Sequence, residues 1–216
     1  MGNGSGTAST ANRTIQLLSS SGDIYIAGQV NSGATFSDFA ELFPNATGAE
    51  IAPGTLLAFD TAGDGVRPAD DGEDICGVVS HTAAMLAGDT PFCWAGRYEK
   101  DTWGRRIFEE VPAERASEGK GASEAVMERR LKESPQWNPE LPQVPRSERP
   151  GEWTPVGLLG QVHVRTGEEV SPGDRLKAIG GKGFKSVDRT GVKVLRVEKT
   201  FDGDHGVAYC LINVRV

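Results

Sequence analysis

The chain has 216 residues with a formal net charge of −7, and it contains 28 glycines, 12 prolines and three cysteines. Its length suits one large domain, or one domain with an extra segment. The acidic excess argues against broad binding to nucleic acid, which needs a basic face, and no apolar run approaches the roughly 20 residues that span a bilayer. The first residues lack the features of a signal peptide. We therefore expect a soluble, turn-rich protein that binds neither nucleic acid nor a membrane.

The residue types that most often bind metals are scattered along the chain. The cysteines are odd in number and far apart, and no histidine stands at a metal-ligand spacing from another histidine or from a cysteine. They are Cys76, Cys93, Cys210, His81, His163 and His205. We predict that the thiols are small buried side chains in a reducing compartment, with a disulfide or metal site as the alternative, and that the histidines lie at the surface. No cofactor or metal is predicted.

The N-terminal part divides into two segments. Residues 1–13 are rich in Gly, Ser, Thr and Ala without an apolar period, and they are predicted to form a flexible lead. Residues 14–37 contain two short extended pieces, at 14–18 and 23–27. Strands this short cannot bury their apolar faces alone. The pattern therefore predicts a stub of fibre stem that packs against neighbouring chains.

Residues 36–44 carry a helical pattern. Phe39, Leu42 and Phe43 stand at i, i+3 and i+4, which is one turn of an amphipathic helix, and a proline ends it. Asp38 and the glutamate three residues later form a capping box, with the preceding phenylalanine as a staple. This account explains every residue of the segment structurally.

The same segment also places two carboxylates, Asp38 and Glu41, within one turn of the Ser37–Asp38 peptide bond and beside phenylalanine side chains. Apolar surroundings raise the pKa of a carboxyl group, so that one acid can be protonated while its neighbour stays ionised. Peptide hydrolysis needs that division of roles. Self-cleavage therefore stands beside the purely structural interpretation.

Short strands separated by turns are predicted over most of the remaining chain. They lie at residues 55–59, 66–68, 75–79, 92–97, 106–111, 156–164, 175–179, 184–187, 192–197 and 209–216. The last two are expected to pair as a hairpin. Residues 112–153 differ, because they are rich in proline and charge, and only residues 122–132 suit a helix. We interpret them as a surface excursion from a compact, mainly β domain with one or two short helices.

An ordered set of short motifs resembles one protein family. The match begins at Ser-Asp-Phe-Ala-Glu-Leu-Phe, residues 37–43, and continues to about residue 176. Its further members are residues 53–55, 66–69, 75–80, 94–98, 101–105 and 153–160. The set is similar to the intramolecular-chaperone autoproteolytic domain of phage tail spikes and pre-neck appendages, a self-cleaving peptidase of the glutamic type.

The resemblance implies a scissile bond between Ser37 and Asp38, cut once and in cis. It implies Glu41 as the catalytic carboxylate, acting as general base or acid on a water or on the Ser37 hydroxyl, with Asp38 orienting the same group. Backbone amides at the start of the following helix are expected to stabilise the oxyanion. Direct hydrolysis and attack by the Ser37 side chain both remain open.

The resemblance also implies partners and a place of action. Residues 38–216 would be a chaperone domain that promotes homotrimer assembly of the upstream spike of the same chain and then releases itself. Residues 14–37 would be the last piece of the trimeric stem, in a virion tail precursor assembled in the host cytoplasm. The alternative is a non-cleaving structural or attachment module of a phage-like fibre. A cysteine-based processing domain is disfavoured, because no cysteine stands at a splice-type junction.

Overall fold

The computed structural model describes residues 15–18, 23–26, 38–89, 96–114, 125–140 and 144–213. These residues form fourteen strands and one short 3₁₀ helix, Arg146–Glu148. The strands are β1 Ile15–Leu18, β2 Asp23–Ile26, β3 Asp38–Pro44, β4 Leu56–Phe59, β5 Val66–Pro68, β6 Gly77–Val79, β7 Met85–Ala87, β8 Phe108–Glu114, β9 Ala125–Leu131, β10 Trp153–Thr166, β11 Arg175–Ile179, β12 Lys182–Ser186, β13 Val192–Lys199 and β14 Gly206–Asn213. The prediction of a compact, mainly β fold is confirmed.

Ten strands form the main sheet, and β10 is the longest of them. It pairs in antiparallel fashion with β14, β3 and β6. The order β10–β14–β13–β11–β12 closes into a ring, because Thr166 of β10 also pairs with Gly183 of β12. The other strands continue from β10 through β6, β4 and β5 and through β3 and β7. Strand β10 therefore joins the ring to the segment in which cleavage is predicted.

Two apolar clusters form the core. The larger one contains side chains of the ring strands, among them Val164, Leu176, Val194 and Ile212. The smaller one lies around β4, β5, β6 and the first half of β10. Each fully buried aliphatic side chain contributes about 1.5–3 kcal/mol relative to exposure. Strand β10 contributes residues to both clusters and so connects the two parts of the core.

The helix predicted at residues 36–44 is wrong, because Asp38–Pro44 is strand β3. It pairs with β10 over its whole length and with β7 along its other edge. Its side chains alternate between buried and exposed from Asp38 to Leu42. One isolated helical turn is marginal in water, and two rows of ladder hydrogen bonds outweigh it. The capping box and the helix N-terminus expected to stabilise the oxyanion are therefore absent from β3.

The helix predicted at residues 122–132 is also wrong. Ala125–Leu131 is strand β9, which pairs with β8 in a separate two-stranded sheet. An ion pair between Arg130 and Glu109 at 2.9 Å crosses the hairpin, and a second at 2.6 Å joins Lys132 to Glu99. These cross-strand partners are distant in sequence, so a local helical pattern could not reveal them.

Several strand predictions are confirmed. The strands at residues 66–68 and 175–179 have the bounds expected, and β13 and β14 pair as the final hairpin. The extended pieces at 14–18 and 23–27 correspond to β1 and β2, which form an antiparallel pair. Most of the strand predicted at residues 92–97 lies outside the described residues, as do the lead at 1–13 and Ser37.

The thiols of Cys76 and Cys210 are free and buried, as predicted. Burial raises the pKa of Cys76 to about 11 and that of Cys210 to about 12, so both remain protonated at neutral pH. Cys93 lies outside the described residues. Within the described ranges, no helix has the length and hydropathy needed to cross a bilayer.

Candidate functional site

The first residue after the predicted scissile bond is firmly held. Asp38 begins β3, where it pairs with Gly160 of β10. Its carbonyl oxygen accepts a hydrogen bond from the backbone N–H of Ala84 at 3.1 Å, just before β7. Only 3% of Asp38 is exposed. The backbone at Asp38 is therefore paired with β10 on one side and hydrogen-bonded to Ala84, the residue before β7, on the other.

The carboxyl group of Asp38 is buried without a partner. Both of its oxygen atoms are inaccessible, and neither has a hydrogen-bond partner among the described residues. They occupy space that Gly157 leaves, since a Cβ atom at Gly157 would lie 3.1 Å from Asp38 Oδ2 and 3.3 Å from the Cβ of Ser80. A buried polar group left unpaired costs about 1–3 kcal/mol, and more when it is charged. This group is thus held at an energetic cost at the start of β3.

A β-bulge lies directly across from this point. The register between β3 and β10 shifts between Gly157 and Leu159, so that Leu158 is the extra residue. Gly160, opposite Asp38, has a φ of 114°, in a region that favours glycine. Bulges bend and twist a strand, and they occur often beside active sites. Here the bulge and its glycines shape the part of β10 that receives the start of β3.

Glu41 lies on the other face of β3. It is exposed, whereas Asp38 is buried, because residues an odd number apart in a strand point to opposite faces. Its register neighbours are Val156 of β10 and Ala87 of β7. The structure therefore does not bring the two predicted carboxylates together, because Glu41 is exposed to solvent and Asp38 lies in the interior.

The three histidines line one cleft of about 410 Å³. Their spacing in the sequence does not indicate this. His163 comes from β10, His205 from the turn before β14, and His81 from the turn after β6, and Arg165 also contributes to the lining. Burial lowers the pKa of His163 below its usual value. His205 Nδ1 lies 2.8 Å from a carboxylate oxygen of Asp204.

The described part of the chain contains no group of three or more His, Cys, Asp or Glu side chains arranged to hold a metal ion. Of the cleft histidines, His81 is exposed, whereas His163 and His205 are partly buried. Neither the cleft nor the bulge is predicted from the sequence. A signal for the bulge was present, because Gly157 and Gly160 interrupt an otherwise regular strand pattern.

Comparison with known proteins gives a consistent result. The family model described as Peptidase_G2, IMC autoproteolytic cleavage domain, matches residues 1–215. The pre-neck appendage protein of Bacillus phage phi29 is 36% identical over 197 residues, which cover 91% of this chain and 22% of that protein. The pre-neck appendage protein of Bacillus phage B103 is 34% identical over 212 residues, covering 97% of this chain and 23% of that protein.

Solved structures agree with the sequence matches. The crystal structure of the pre-mature bacteriophage phi29 gene product 12 superimposes with a TM-score of 0.78 at 33% identity, over 93% of this chain and 24% of that one. The C-terminal fragment of the same gene product gives a TM-score of 0.64 at 33% identity, over 82% of this chain and the whole fragment. The chain thus spans less than a quarter of the length of the curated relatives that it matches.

Proposed function

Because the chain belongs to the Peptidase_G2 family of IMC autoproteolytic cleavage domains, which are self-cleaving peptidase domains of phage appendage proteins, we propose that it cuts its own backbone between Ser37 and Asp38. The cleavage is in cis and occurs once per chain, with Glu41 as the catalytic carboxylate of a glutamic-type peptidase. The observation that carries this proposal is the held backbone at Asp38, directly after the bond, which pairs with Gly160 of β10 and accepts a hydrogen bond from the backbone N–H of Ala84.

The chemistry assigns one task to each group. Glu41 accepts a proton from a water as the oxygen of that water attacks the Ser37 carbonyl carbon. The tetrahedral adduct collapses, the C–N bond breaks, and the proton passes to the nitrogen of Asp38. The clamped backbone of Asp38 holds the leaving nitrogen in place, which lowers the entropic cost of reaching the transition state. Attack by the Ser37 hydroxyl on its own carbonyl carbon would close a four-membered β-lactone that a water must then open, so direct hydrolysis is the route that we propose.

The second part of the proposal concerns assembly. Residues 38–216 act as an intramolecular chaperone that promotes homotrimer formation by the upstream spike and is then released. The exposed side chains of Met85, Phe39 and Leu159, which are register neighbours on β7, β3 and β10, support this assignment. The β1–β2 pair also exposes Ile24 and Ile26, and a two-stranded sheet is marginal alone. The matched relatives are appendage proteins of phage virions, which suits a tail precursor assembled in the host cytoplasm.

The cleavage proposal is tested with freshly purified protein on a denaturing gel. We expect one fragment of residues 1–37 and one of residues 38–216, and mass spectrometry should place the new N-terminus at Asp38. Glu41→Gln removes the proton acceptor while keeping the size of the side chain, so full-length protein should persist. Glu50→Gln, a change at another exposed glutamate, is the matched control and should cleave normally.

The same gel separates this proposal from the alternative, a structural or attachment module that does not cleave. The separation of Asp38 and Glu41 onto opposite faces of β3 is the observation that favours the alternative. A single full-length band under all conditions, with Glu41→Gln indistinguishable from the unaltered chain, would establish the alternative and refute self-cleavage.

A further inference from the structure

We propose that the buried carboxyl group of Asp38 is a preformed counter-ion for the amino group that cleavage of the Ser37–Asp38 bond creates. The inference rests on the proposed cleavage site. It assigns to this side chain a role after bond breakage, which is to stabilise the cleaved state of the domain.

In the uncleaved chain the carboxyl group has no compensating charge. The nitrogen of Asp38 is then part of a neutral peptide bond. No ion pair of the described residues includes Asp38, and its two oxygen atoms accept no hydrogen bond from them. A Cβ atom at Gly157 would contact Asp38 Oδ2 together with the side chains of Val162 and Ser80, which carry no charge. Before cleavage, the described part of the chain therefore places a buried carboxyl group at this site with no cation as its partner.

Cleavage supplies that cation within the same residue. Hydrolysis consumes one water and breaks the C–N bond. It leaves a carboxylate on Ser37 and an amino group on Asp38. An α-amino group ordinarily titrates near pH 7.7–8.0, so at neutral pH it is mostly protonated. The new nitrogen is three covalent bonds from the carboxyl carbon of the same residue. The two charges therefore meet in a site that water hardly reaches, where their attraction is much stronger than in bulk water.

Two consequences follow for the cleaved domain. Pairing relieves the cost of the orphaned carboxylate, so cutting the chain stabilises the fold. The buried anion also favours the protonated amine, and a protonated amine cannot attack the Ser37 carboxylate to re-form the bond. The sign of the pH dependence is fixed by the amine: the gain is present at neutral pH and is lost as the pH rises and the amine loses its proton.

The neighbourhood of Asp38 allows a clean pH readout. Ala84, Gly157 and Gly160 carry no ionisable side chain, and Glu41 points to the other face of β3. His81, next to Ser80, is exposed. Among the groups just named, the new α-amino group is the one whose ordinary pKa lies between pH 7 and pH 10. A change in melting temperature between these two pH values therefore reports on its charge.

The experiment creates the new amino group without self-cleavage. The full chain carries Glu41→Gln, and residues 32–37 are replaced by Glu-Asn-Leu-Tyr-Phe-Gln, so that added TEV protease cuts before Asp38 and no cation is introduced next to it. Melting temperatures are measured before and after cutting, with the cut verified by mass spectrometry. At pH 7 we expect cutting to raise the melting temperature by about 3 °C or more. The same chain with D38N should show no rise, because its amide is neutral.

In the chain that retains Asp38, the rise in melting temperature on cutting should be smaller at pH 10 than at pH 7. This measurement does not depend on altering the carboxyl group. An unchanged or lower melting temperature after cutting, an equal rise with D38N, or a rise that persists at pH 10 would overturn the proposal. Because the added protease makes the cut, these outcomes are independent of whether the natural chain cleaves itself.

Discussion

Gly157 provides the space in which the Asp38 carboxyl lies. A Cβ atom at this position would meet Asp38 Oδ2 at 3.1 Å and Val162 Cγ1 at 3.2 Å, closer than ordinary van der Waals contact. The same Cβ atom would lie 3.3 Å from the Cβ of Ser80. Because glycine has no Cβ atom, residue 157 leaves room for the Asp38 carboxyl in its buried position.

This contact predicts the effect of Gly157→Ala. The added methyl displaces the Asp38 carboxyl and with it the start of β3, so we expect self-cleavage to slow by at least about tenfold, with a loss of about 1–3 kcal/mol in unfolding free energy from overpacking. Gel densitometry over time and urea unfolding measure the two effects. Gly63→Ala, at an exposed turn glycine, is the control and should cleave at the normal rate. Cleavage of Gly157→Ala at the same rate would show that the seat of the carboxyl is unimportant.

At the level of elements, the turn between β5 and β6 is anchored by one glutamate. Glu73 accepts two hydrogen bonds from the Arg67 guanidinium, at 2.6 and 2.8 Å, and one from the backbone N–H of Asp70. These donors lower the pKa of Glu73 to about 2. Strand β5 is thereby tied to the turn that follows it.

The lowered pKa of Glu73 predicts a dependence of stability on pH. The stabilisation is present above the usual carboxyl pKa and is lost as the pH falls toward about 2, because the folded state must then be protonated. Glu73→Gln should therefore be less stable than the unaltered chain in urea at pH 7, with the difference shrinking at pH 2.5. Glu50→Gln serves as the exposed control. A difference that does not change with pH would contradict this assignment.

The elements that sequence patterns predicted well are those with strong turn signals at both ends. Strands β11 and β5 have such boundaries, and they appear where expected. Strands β3 and β9 carry helical patterns of a turn or two, and their partners β10 and β8 are distant in sequence. Local propensity differs by less than a kcal/mol per residue between helix and strand, so the ladder partner decides.

At the scale of the whole molecule, the proposed trimer has a defined surface. Leu159, Phe39 and Met85 expose apolar side chains in one row across three neighbouring strands. Contiguous exposed apolar groups mark interaction sites more often than scattered ones do. Phe39, the middle residue of the row, follows Asp38 directly, so assembly and cleavage would involve the same part of β3.

The trimer is tested by light scattering on the whole chain. We expect three times the chain mass, and we expect Leu159→Asn to shift the mass toward that of the monomer, because it places a polar amide in the proposed interface. Leu195→Asn, at an exposed leucine of β13, is the matched control and should remain trimeric. A monomer mass for the unaltered chain would refute the trimer, and equal behaviour of the two variants would exclude this row as its interface.

The class of fold, most strands of the ring, the burial of Cys76 and Cys210, and the family could be predicted from the sequence, because they depend on local alternation, turn residues and ordered motifs. The burial of Asp38, the exposure of Glu41 and the shared cleft of the three histidines are visible only in the folded chain. The physical reason is that these properties depend on strand partners and register. Pairing with β10 converts a helical spacing of carboxylates into opposite faces of a strand, and no local pattern encodes that partner.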